Sequence, residues 1–288
     1  MAQALQESGD YRVLRRLVSR HRIEKMDGQP IRQGLCVDVE TTGLDPAHDE
    51  IIELAMTPFS YGLDGCIYEI GASFQGLREP AQPIPAQVTA LTGIDDAMVA
   101  GRSIDPTEVA AFAAPAALVI AHNAVFDRRF LERFCPAFET KPWACSMTEI
   151  DWVEEGHEGR KLIWLAAGAG FFYDRHRAVH DCAAVIELLA RPLPRSGVRA
   201  MARLLERART PVWRIWAEGA PFDRKDQLKA RGYRWNGDGI GGPKAWYVDV
   251  VEAQRDGELA FLQTEIYQRE TKLTARCIEA HDRFSDRC

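Results

Sequence analysis

The sequence lacks several features that would place it in a specialised class of protein. No stretch of its 288 residues approaches the roughly 20 consecutive apolar residues that cross a bilayer, so no membrane span is predicted. Residues 1–10 are polar and acidic, which argues against a signal peptide. The sequence also shows no internal repeat and no low-complexity segment, which excludes repeat and fibrous architectures.

The cysteines form no recognisable framework. There are seven of them, an odd number, and none belongs to a C-x-x-C pair. This pattern argues against a set of disulfides and against a zinc site. It predicts a reduced, cytoplasmic protein in which the cysteines serve as small core residues.

A net positive charge is also lacking, because 42 Asp and Glu outnumber 36 Lys and Arg and the formal net charge is -6. The chain as a whole is therefore not a basic nucleic-acid binder. The charge is uneven, however: residues 11–25 hold six basic and one acidic residue, and residues 199–248 hold 11 Lys or Arg against 5 Asp or Glu. These segments could attract a polyanion or form solvated helical faces, and the sequence leaves both readings open.

Apolar periodicity predicts the secondary structure of the larger part of the chain. Residues 11–21 have helical spacing, which predicts a basic amphipathic helix within residues 1–30. Short apolar runs at 35–39, 51–57 and 67–74 predict strands in an antiparallel meander. A strand is predicted at 118–121, and helices at 105–114, 124–134, 162–167 and 179–190. Together these elements predict an α/β domain over residues 31–195, with helices packed on a mixed sheet.

The composition changes after the proline-rich residues 191–197. A connecting helix is predicted at 196–210, followed by a small, aromatic-rich and basic α+β domain over residues 211–288. Strands are predicted at 212–217 and 244–250, and helices at 223–231 and 258–268. Tryptophans and tyrosines interleaved with basic residues are typical of single-strand stacking platforms, but a small domain also needs large aromatics for its core.

Two carboxylates interrupt the apolar run at residues 35–39. Asp38 and Glu40 are two residues apart, so on a strand they point to the same face. Their mutual repulsion makes burial costly unless a cation lies between them. The alternative is that both lie near the strand end and are solvated.

Two later segments place further carboxylates at helix starts. Asp127 falls in the first turn of a predicted helix, where it could simply complement the helix dipole. Asp181 lies five residues after His176, about 140° away on a helical wheel, so the two converge only if His176 stands on the preceding loop. His176 is therefore the candidate base, and His180 is expected to be a surface or packing residue.

Taken together, these segments resemble a known family. Asp-x-Glu-Thr-x-Gly from Asp38, Asn-x-x-Phe-Asp from Asn123 and His-x-Ala-x-x-Asp from His176 are similar to the three motifs of the DEDDh 3′-5′ exonucleases. This RNase H-like family includes the epsilon proofreading subunit of the bacterial replicative polymerase, RNase T and oligoribonuclease. The resemblance covers about residues 34–193, and residues 89–94 look like the family's connecting segment.

The resemblance implies a fold, a set of ligands and a reaction. The fold would be a mixed five-stranded sheet flanked by helices. Two divalent ions, Mg²⁺ or Mn²⁺, would be held by Asp38, Glu40, Asp127 and Asp181, with His176 as general base beside the catalytic Glu40. The substrate-binding residues would be Thr41, Thr42, Gly43, Leu44, His122, Asn123 and Phe126. The reaction would release nucleoside 5′-monophosphates from single-stranded 3′ ends, with DNA slightly favoured over RNA.

Other functions remain open at this point. The chain could be an accessory, polymerase-associated or partner-binding subunit with weak activity of its own, or a ribonuclease for short RNA. A homodimer and a polymerase or other protein partner for the C-terminal domain are compatible with the resemblance, whereas a membrane partner is not expected. The complete Asp-Glu-Asp-Asp-His set argues against loss of the chemistry.

Overall fold

The computed structural model of the protein describes residues 2–25 and 28–288. The chain divides into two compact units, Met1–Arg207 and Ala208–Cys288. The division falls a few residues before the boundary predicted at 210. Within the described residues, no helix has the length and apolar character required to cross a membrane.

The first unit contains most of the secondary structure. Its strands are β1 (Arg15–Arg16), β2 (Ile31–Thr41), β3 (Ile51–Gly62), β4 (Ile67–Ile70), β5 (Phe74–Leu77), β6 (Leu118–Ala121), β7 (Trp143–Cys145) and β8 (Phe171–Phe172). Its helices are α1 (Ala2–Glu7), α2 (Ala86–Thr92), α3 (Asp96–Val99), α4 (Pro106–Ala113), α5 (Ala124–Phe134), α6 (Leu162–Gly168) and α7 (Ala178–Leu189), with a 3₁₀ turn at Pro136–Thr140. A further helix, α8 (Ala200–Arg209), contains the division between the units.

A mixed sheet forms the centre of the first unit and confirms the predicted α/β fold. Its strand order is β4-β3-β2-β6-β7, and β5 also pairs with β3. The β2–β3 pair is antiparallel, whereas β2–β6 and β6–β7 are parallel. The sheet therefore has six strands but is five strands across, because β4 and β5 pair with different parts of β3.

The third meander strand, predicted over residues 67–74, is divided into β4 and β5. Pro58 lies in β3 opposite the break, and proline has no N–H to donate to a neighbouring strand. The N–H of Gly71 donates to the Pro58 carbonyl at 2.8 Å, and regular pairing resumes at Phe74. The missing donor therefore accounts for the interruption.

The core lies between the sheet and its helices. All four residues of β6 are buried, and Leu35, Val37 and Val39 of β2 are at most 4% exposed. Helix α7 packs across β2 and β3, and the Cys182 thiol on α7 points at the Cys36 carbonyl at 3.5 Å. The central strand is therefore covered along the length that leads to Asp38 and Glu40.

The amphipathic helix predicted at residues 11–21 is wrong, and residues 1, 26 and 27 of the predicted N-terminal segment lie outside the described residues. The chain there is extended, and β1 pairs in parallel with β8. The arginines that made the segment look like a basic face bind acidic partners: Arg16 binds Asp174 at 2.7 Å and Arg20 binds Glu187 at 2.6 Å. Backbone pairing and these ion pairs override a weak local helical preference.

The second unit is a small α+β domain with one antiparallel sheet. Its elements are β9 (Val212–Ala217), α9 (Lys225–Ala230), β10 (Arg234–Trp235), β11 (Trp246–Val251), α10 (Glu252–Phe261) and β12 (Thr274–Ile278), with a 3₁₀ turn at Phe222–Arg224 and a π-helical segment at Leu262–Tyr267. The strand order is β10-β11-β9-β12.

The aromatics of the second unit do not all behave alike. Trp216 and Tyr233 are buried at 3% exposure, and Trp213 and Trp246 are partly buried against the core. Trp235, in contrast, is 55% exposed. Of the two roles left open by the sequence, the first four therefore fit the core, whereas Trp235 does not.

Candidate active site

The two carboxylates of the central strand converge with a third on a helix. Asp38 and Glu40 lie near the end of β2 and face α7, which carries Asp181 in its first turn. One carboxylate oxygen from each of these three residues lies within 4.8 Å of the other two. The strand alternation and the helix start predicted from the sequence together produce this arrangement.

Asp127, the fourth predicted ligand, is not a member of this group of three. It lies in the first turn of α5 and is only 2% exposed. Its Oδ1 accepts a hydrogen bond from the Val39 backbone N–H at 3.1 Å. This bond fixes one oxygen against the central strand, so Asp127 is tied to the backbone between Asp38 and Glu40.

The surroundings oppose negative charge on all four groups. Burial, followed by repulsion from Asp127 and Asp181, raises the pKa of Asp38 well above its usual range. Burial also raises the pKa of Glu40 and of Asp127 to about 8. The pKa of Asp181 is raised by burial too, although hydrogen bonding from Tyr173 and the proximity of His176 act in the opposite direction. The cluster is therefore an arrangement that a bound cation would relieve.

One oxygen of the cluster has no hydrogen-bond donor. The Tyr173 hydroxyl donates to Asp181 Oδ1 at 3.0 Å, but the buried Asp181 Oδ2 has no partner among the described residues. An unsatisfied buried carboxylate oxygen costs about 1–3 kcal/mol or more. Hard oxygen donors of this kind suit Mg²⁺ and Mn²⁺, so the residues present fit a divalent metal site.

His176 lies on the loop before α7, where the sequence predicted it. Helix α7 begins at Ala178, two residues later, and His176 has a left-handed backbone with φ of 58°. The His176 ring is partly exposed, and its proximity to Asp181 acts to lower the pKa of that carboxyl group. His180, in contrast, is exposed and its Nδ1 lies 3.2 Å from the Asp174 carbonyl.

A buried ion pair beneath this loop was missed in the sequence. Glu53 lies on β3 opposite Glu40 and is 2% exposed. Its Oε1 accepts from Arg177 Nε at 3.2 Å and Nη2 at 3.0 Å, and its Oε2 accepts from the Ala178 N–H at 3.1 Å. Glu53 therefore holds the residue after His176 and the first residue of α7. The signal was present: Glu53 interrupts an apolar strand just as Asp38 does.

The turn after β2 is organised by its own contacts. The Thr41 hydroxyl donates to the Gly43 carbonyl at 2.5 Å, and the Thr42 hydroxyl bonds Asp49 at 3.2 Å. A Cβ on Gly43 would lie 2.4 Å from an Asp49 carboxylate oxygen, so this close packing accounts for the glycine. Leu44 is 84% exposed and is free to meet a ligand.

The remaining predicted substrate-binding residues lie at the start of α5. The His122 ring is engaged on both sides, with Nδ1 2.9 Å from the Ser146 hydroxyl and Nε2 2.8 Å from the Arg160 carbonyl. Burial lowers the His122 pKa to about 4, so the ring is neutral. Asn123 precedes α5 with a left-handed φ of 82°, and the Phe126 ring lies 4.9 Å from that of Phe130. These contacts favour a structural part for His122, and substrate contact stays a prediction.

Comparison with known proteins agrees with this geometry. A family model described as exonuclease, RNase_T, matches residues 35–189, more than half of the chain. The chain therefore belongs to the DEDDh-type 3′-5′ exonuclease family.

Two curated relatives illustrate the match. A DNA polymerase III subunit epsilon-like protein of Rhodobacter capsulatus is 40% identical over 174 residues, covering 57% of this chain and 24% of the relative. The PolC-type DNA polymerase III of Caldanaerobacter subterraneus subsp. tengcongensis is 29% identical over 162 residues, covering 54% of this chain and 11% of the relative. The chain thus spans a quarter or less of the length of these two relatives.

A solved structure shares the fold. Exonuclease I of E. coli, crystallised with a zinc ion and single-stranded DNA, has a TM-score of 0.50 and 14% identity, covering 76% of this chain and 63% of the other.

Proposed function

We propose that this protein is a divalent-metal-dependent 3′-5′ exonuclease that hydrolyses single-stranded nucleic acid, with DNA slightly favoured. The observation that carries the proposal is the group formed by Asp38, Glu40 and Asp181, whose oxygens lie within 4.8 Å of one another in a chain of the exonuclease family. The chemistry of this donor set matches the reaction of that family.

Each residue has a definite part in the proposal. Asp38, Glu40 and Asp181 would hold the metal through carboxylate oxygens, including the unpartnered Asp181 Oδ2. Asp127 would contribute through the oxygen that Val39 leaves free. Bound Mg²⁺ or Mn²⁺, two ions by the family resemblance, would lower the pKa of the attacking water and offset charge at the leaving oxygen.

His176 would act as the general base. It stands on the loop beside Asp181, and its partly exposed ring is free to accept a proton from water and pass it to solvent. The exposed Leu44 would lie against the terminal base, with the turn at residues 41–43 contacting the terminal nucleotide. The preference for DNA is supported by the polymerase III names of the relatives and by the single-stranded DNA in the solved neighbour.

The experiment is a time course on oligonucleotides labelled at the 5′ end, with single-stranded DNA and RNA of the same sequence. Each reaction runs with Mg²⁺, with Mn²⁺ and with EDTA, beside the Asp38→Ala protein. We expect metal-dependent shortening from the 3′ end, faster on DNA and absent in the variant. Intact substrate with folded wild-type protein and either metal would refute the proposal, and faster loss of the RNA would reverse its substrate preference.

A further inference from the structure

Two aromatic side chains of the second unit are largely exposed to solvent. Phe222, in the 3₁₀ turn before α9, is 80% exposed, and Trp235, on the edge strand β10, is 55% exposed. The core of this unit is built from other residues, such as Ile215, Leu228 and Tyr233. Contiguous exposed apolar surface that is rimmed by polar residues is typical of a surface that meets a ligand.

Lysines alternate with these rings. Lys225 Nζ lies 4.0 Å from the centre of the Phe222 ring, and Lys229 Nζ lies 5.8 Å from the centre of the Trp246 ring. The Trp246 and Trp235 rings are 5.7 Å apart, edge to face. Lys225 and Lys229 are four residues apart on α9, so they project from one face of the helix. These five residues form what we call the aromatic-lysine strip.

The two lysines of this strip have no carboxylate partner among the described residues. Among the described residues, neither Lys225 nor Lys229 is ion-paired with a carboxylate, whereas Arg231 binds Glu258 and Arg234 binds Asp249. Asp226 follows Lys225 directly but lies about 100° further round the helix. The two ammonium groups therefore remain available to an anionic ligand.

We propose that the aromatic-lysine strip binds single-stranded nucleic acid without sequence preference, with bases stacked on Phe222 and Trp235 and phosphates beside Lys225 and Lys229. Every base has a flat face that stacks on an aromatic ring, and a positive track follows the phosphates. A duplex would not offer unstacked bases to these rings. This inference rests on the proposed function, because a second contact with the strand serves an enzyme that processes single strands.

The test measures binding of the full chain to fluorescent oligothymidylate by anisotropy, in EDTA so that no cleavage occurs. Two double variants remove the two components: Phe222→Ala with Trp235→Ala, and Lys225→Gln with Lys229→Gln. The matched controls are Tyr11→Ala, an exposed aromatic of the first unit, and Lys272→Gln, an exposed lysine of the second. Circular dichroism is measured for each variant, to check that it is folded before binding is compared.

We expect the aromatic variant to raise Kd at least about tenfold, because each base stacked on an aromatic contributes enough for roughly that loss. The lysine variant should reduce the slope of log Kd against log salt by about 1.4, since each single-strand phosphate contact contributes about 0.7. The controls should stay within about twofold of wild type. Values for both double variants within twofold of wild type would refute the strip and leave its surface to a protein partner.

Failure of the enzyme and failure of the strip give different results. Wild-type protein that binds oligothymidylate through the strip but does not shorten it when Mn²⁺ is supplied would refute the exonuclease alone. Wild-type protein that shortens oligothymidylate with Mn²⁺, while the strip variants bind it normally in EDTA, would refute the strip alone.

Discussion

Replacing Glu53 with glutamine tests whether the buried ion pair with Arg177 positions His176. Removing one partner of a buried ion pair costs about 3–5 kcal/mol. Here the cost is smaller, because the Arg177 side chain is 39% exposed and can turn to water, and the amide oxygen of glutamine can still accept from Ala178. We therefore expect Glu53→Gln to lower the free energy of unfolding by about 1–3 kcal/mol.

The catalytic effect should exceed what this loss of stability explains. Arg177 directly follows His176, whose backbone is held in a left-handed conformation, so release of Arg177 lets the loop relax. A shift of about 1 Å in a reacting group can cost about 100-fold in rate, and we expect kcat to fall about 10- to 100-fold with KM nearly unchanged. The assay is steady-state release of mononucleotides at a temperature where each variant is folded.

Glu187 on α7 provides the matched control. It is also buried, at 8% exposure, and its carboxylate binds Arg20 and Arg191. It lies six residues after Asp181, about 9 Å further along the helix. Glu187→Gln should cost comparable stability and leave kcat near the wild-type value. Equal kcat in the two variants, whether lowered or not, would show that Glu53 has no special part in positioning His176.

Three further predictions test the site. His176→Ala should lower kcat about 100-fold or more while metal binding by calorimetry persists, whereas His180→Ala should have little effect; a loss confined to His180→Ala would exclude His176 as the base. Burial raises the Glu40 pKa from about 4.5 to about 8, so the contribution of Glu40 to the stability of the metal-free protein falls as the pH rises between those values. Mg²⁺ should therefore raise the melting temperature more at pH 8.5 than at pH 6. A larger rise at pH 6 would contradict the assignment of Glu40 as a metal ligand. Asn123→Gly should retain stability and activity, because glycine adopts the left-handed φ of 82° without strain. Asn123→Ala should lower the free energy of unfolding by about 1 kcal/mol. A glycine variant that is stable but inactive would indicate that the Asn123 amide contacts substrate.

Much of the fold was predictable where local signals agree with tertiary ones. The strand at Leu118–Ala121 and the helix at Ala124–Phe134 occur at their predicted bounds. The strand is marked by a short apolar run. The helix is marked by an apolar face at helical spacing and by the proline that follows its end. The strand at Val212–Ala217 was also predicted in full. In such segments the local sequence alone is sufficient to determine where the element begins and ends.

Helices α2 and α3 were not predicted, and several other errors occur where pairing partners decide the structure. β1, β7 and β12 are short strands whose existence depends on neighbours distant in the chain, and none was predicted. The segment at residues 11–21 has helical spacing, yet its backbone bonds β8 and its arginines bind acids more than 100 residues away. Local periodicity cannot report such contacts.

The candidate site was predictable from the sequence in part. Asp38 and Glu40 share a face by strand alternation, and His176 stands outside the helix that carries Asp181, as the spacing requires. The Glu53–Arg177 pair joins residues 124 positions apart and was not predicted. The pair depends on the start of α7 packing over β3, a contact between distant segments that local sequence patterns do not report.

The arrangement of the carboxylates argues that the metal-free protein is the less stable form of this site. Asp127 and Asp181 both lie in the first turns of helices, where the helix dipole favours negative charge. The pKa values of both are nevertheless raised, because burial outweighs the hydrogen bonds that these carboxylates accept. The unpartnered Asp181 Oδ2 adds a further cost that no described protein group offsets. A sequence under selection for stability alone would replace such groups with apolar side chains, so their presence is best explained by a cation that they bind during turnover.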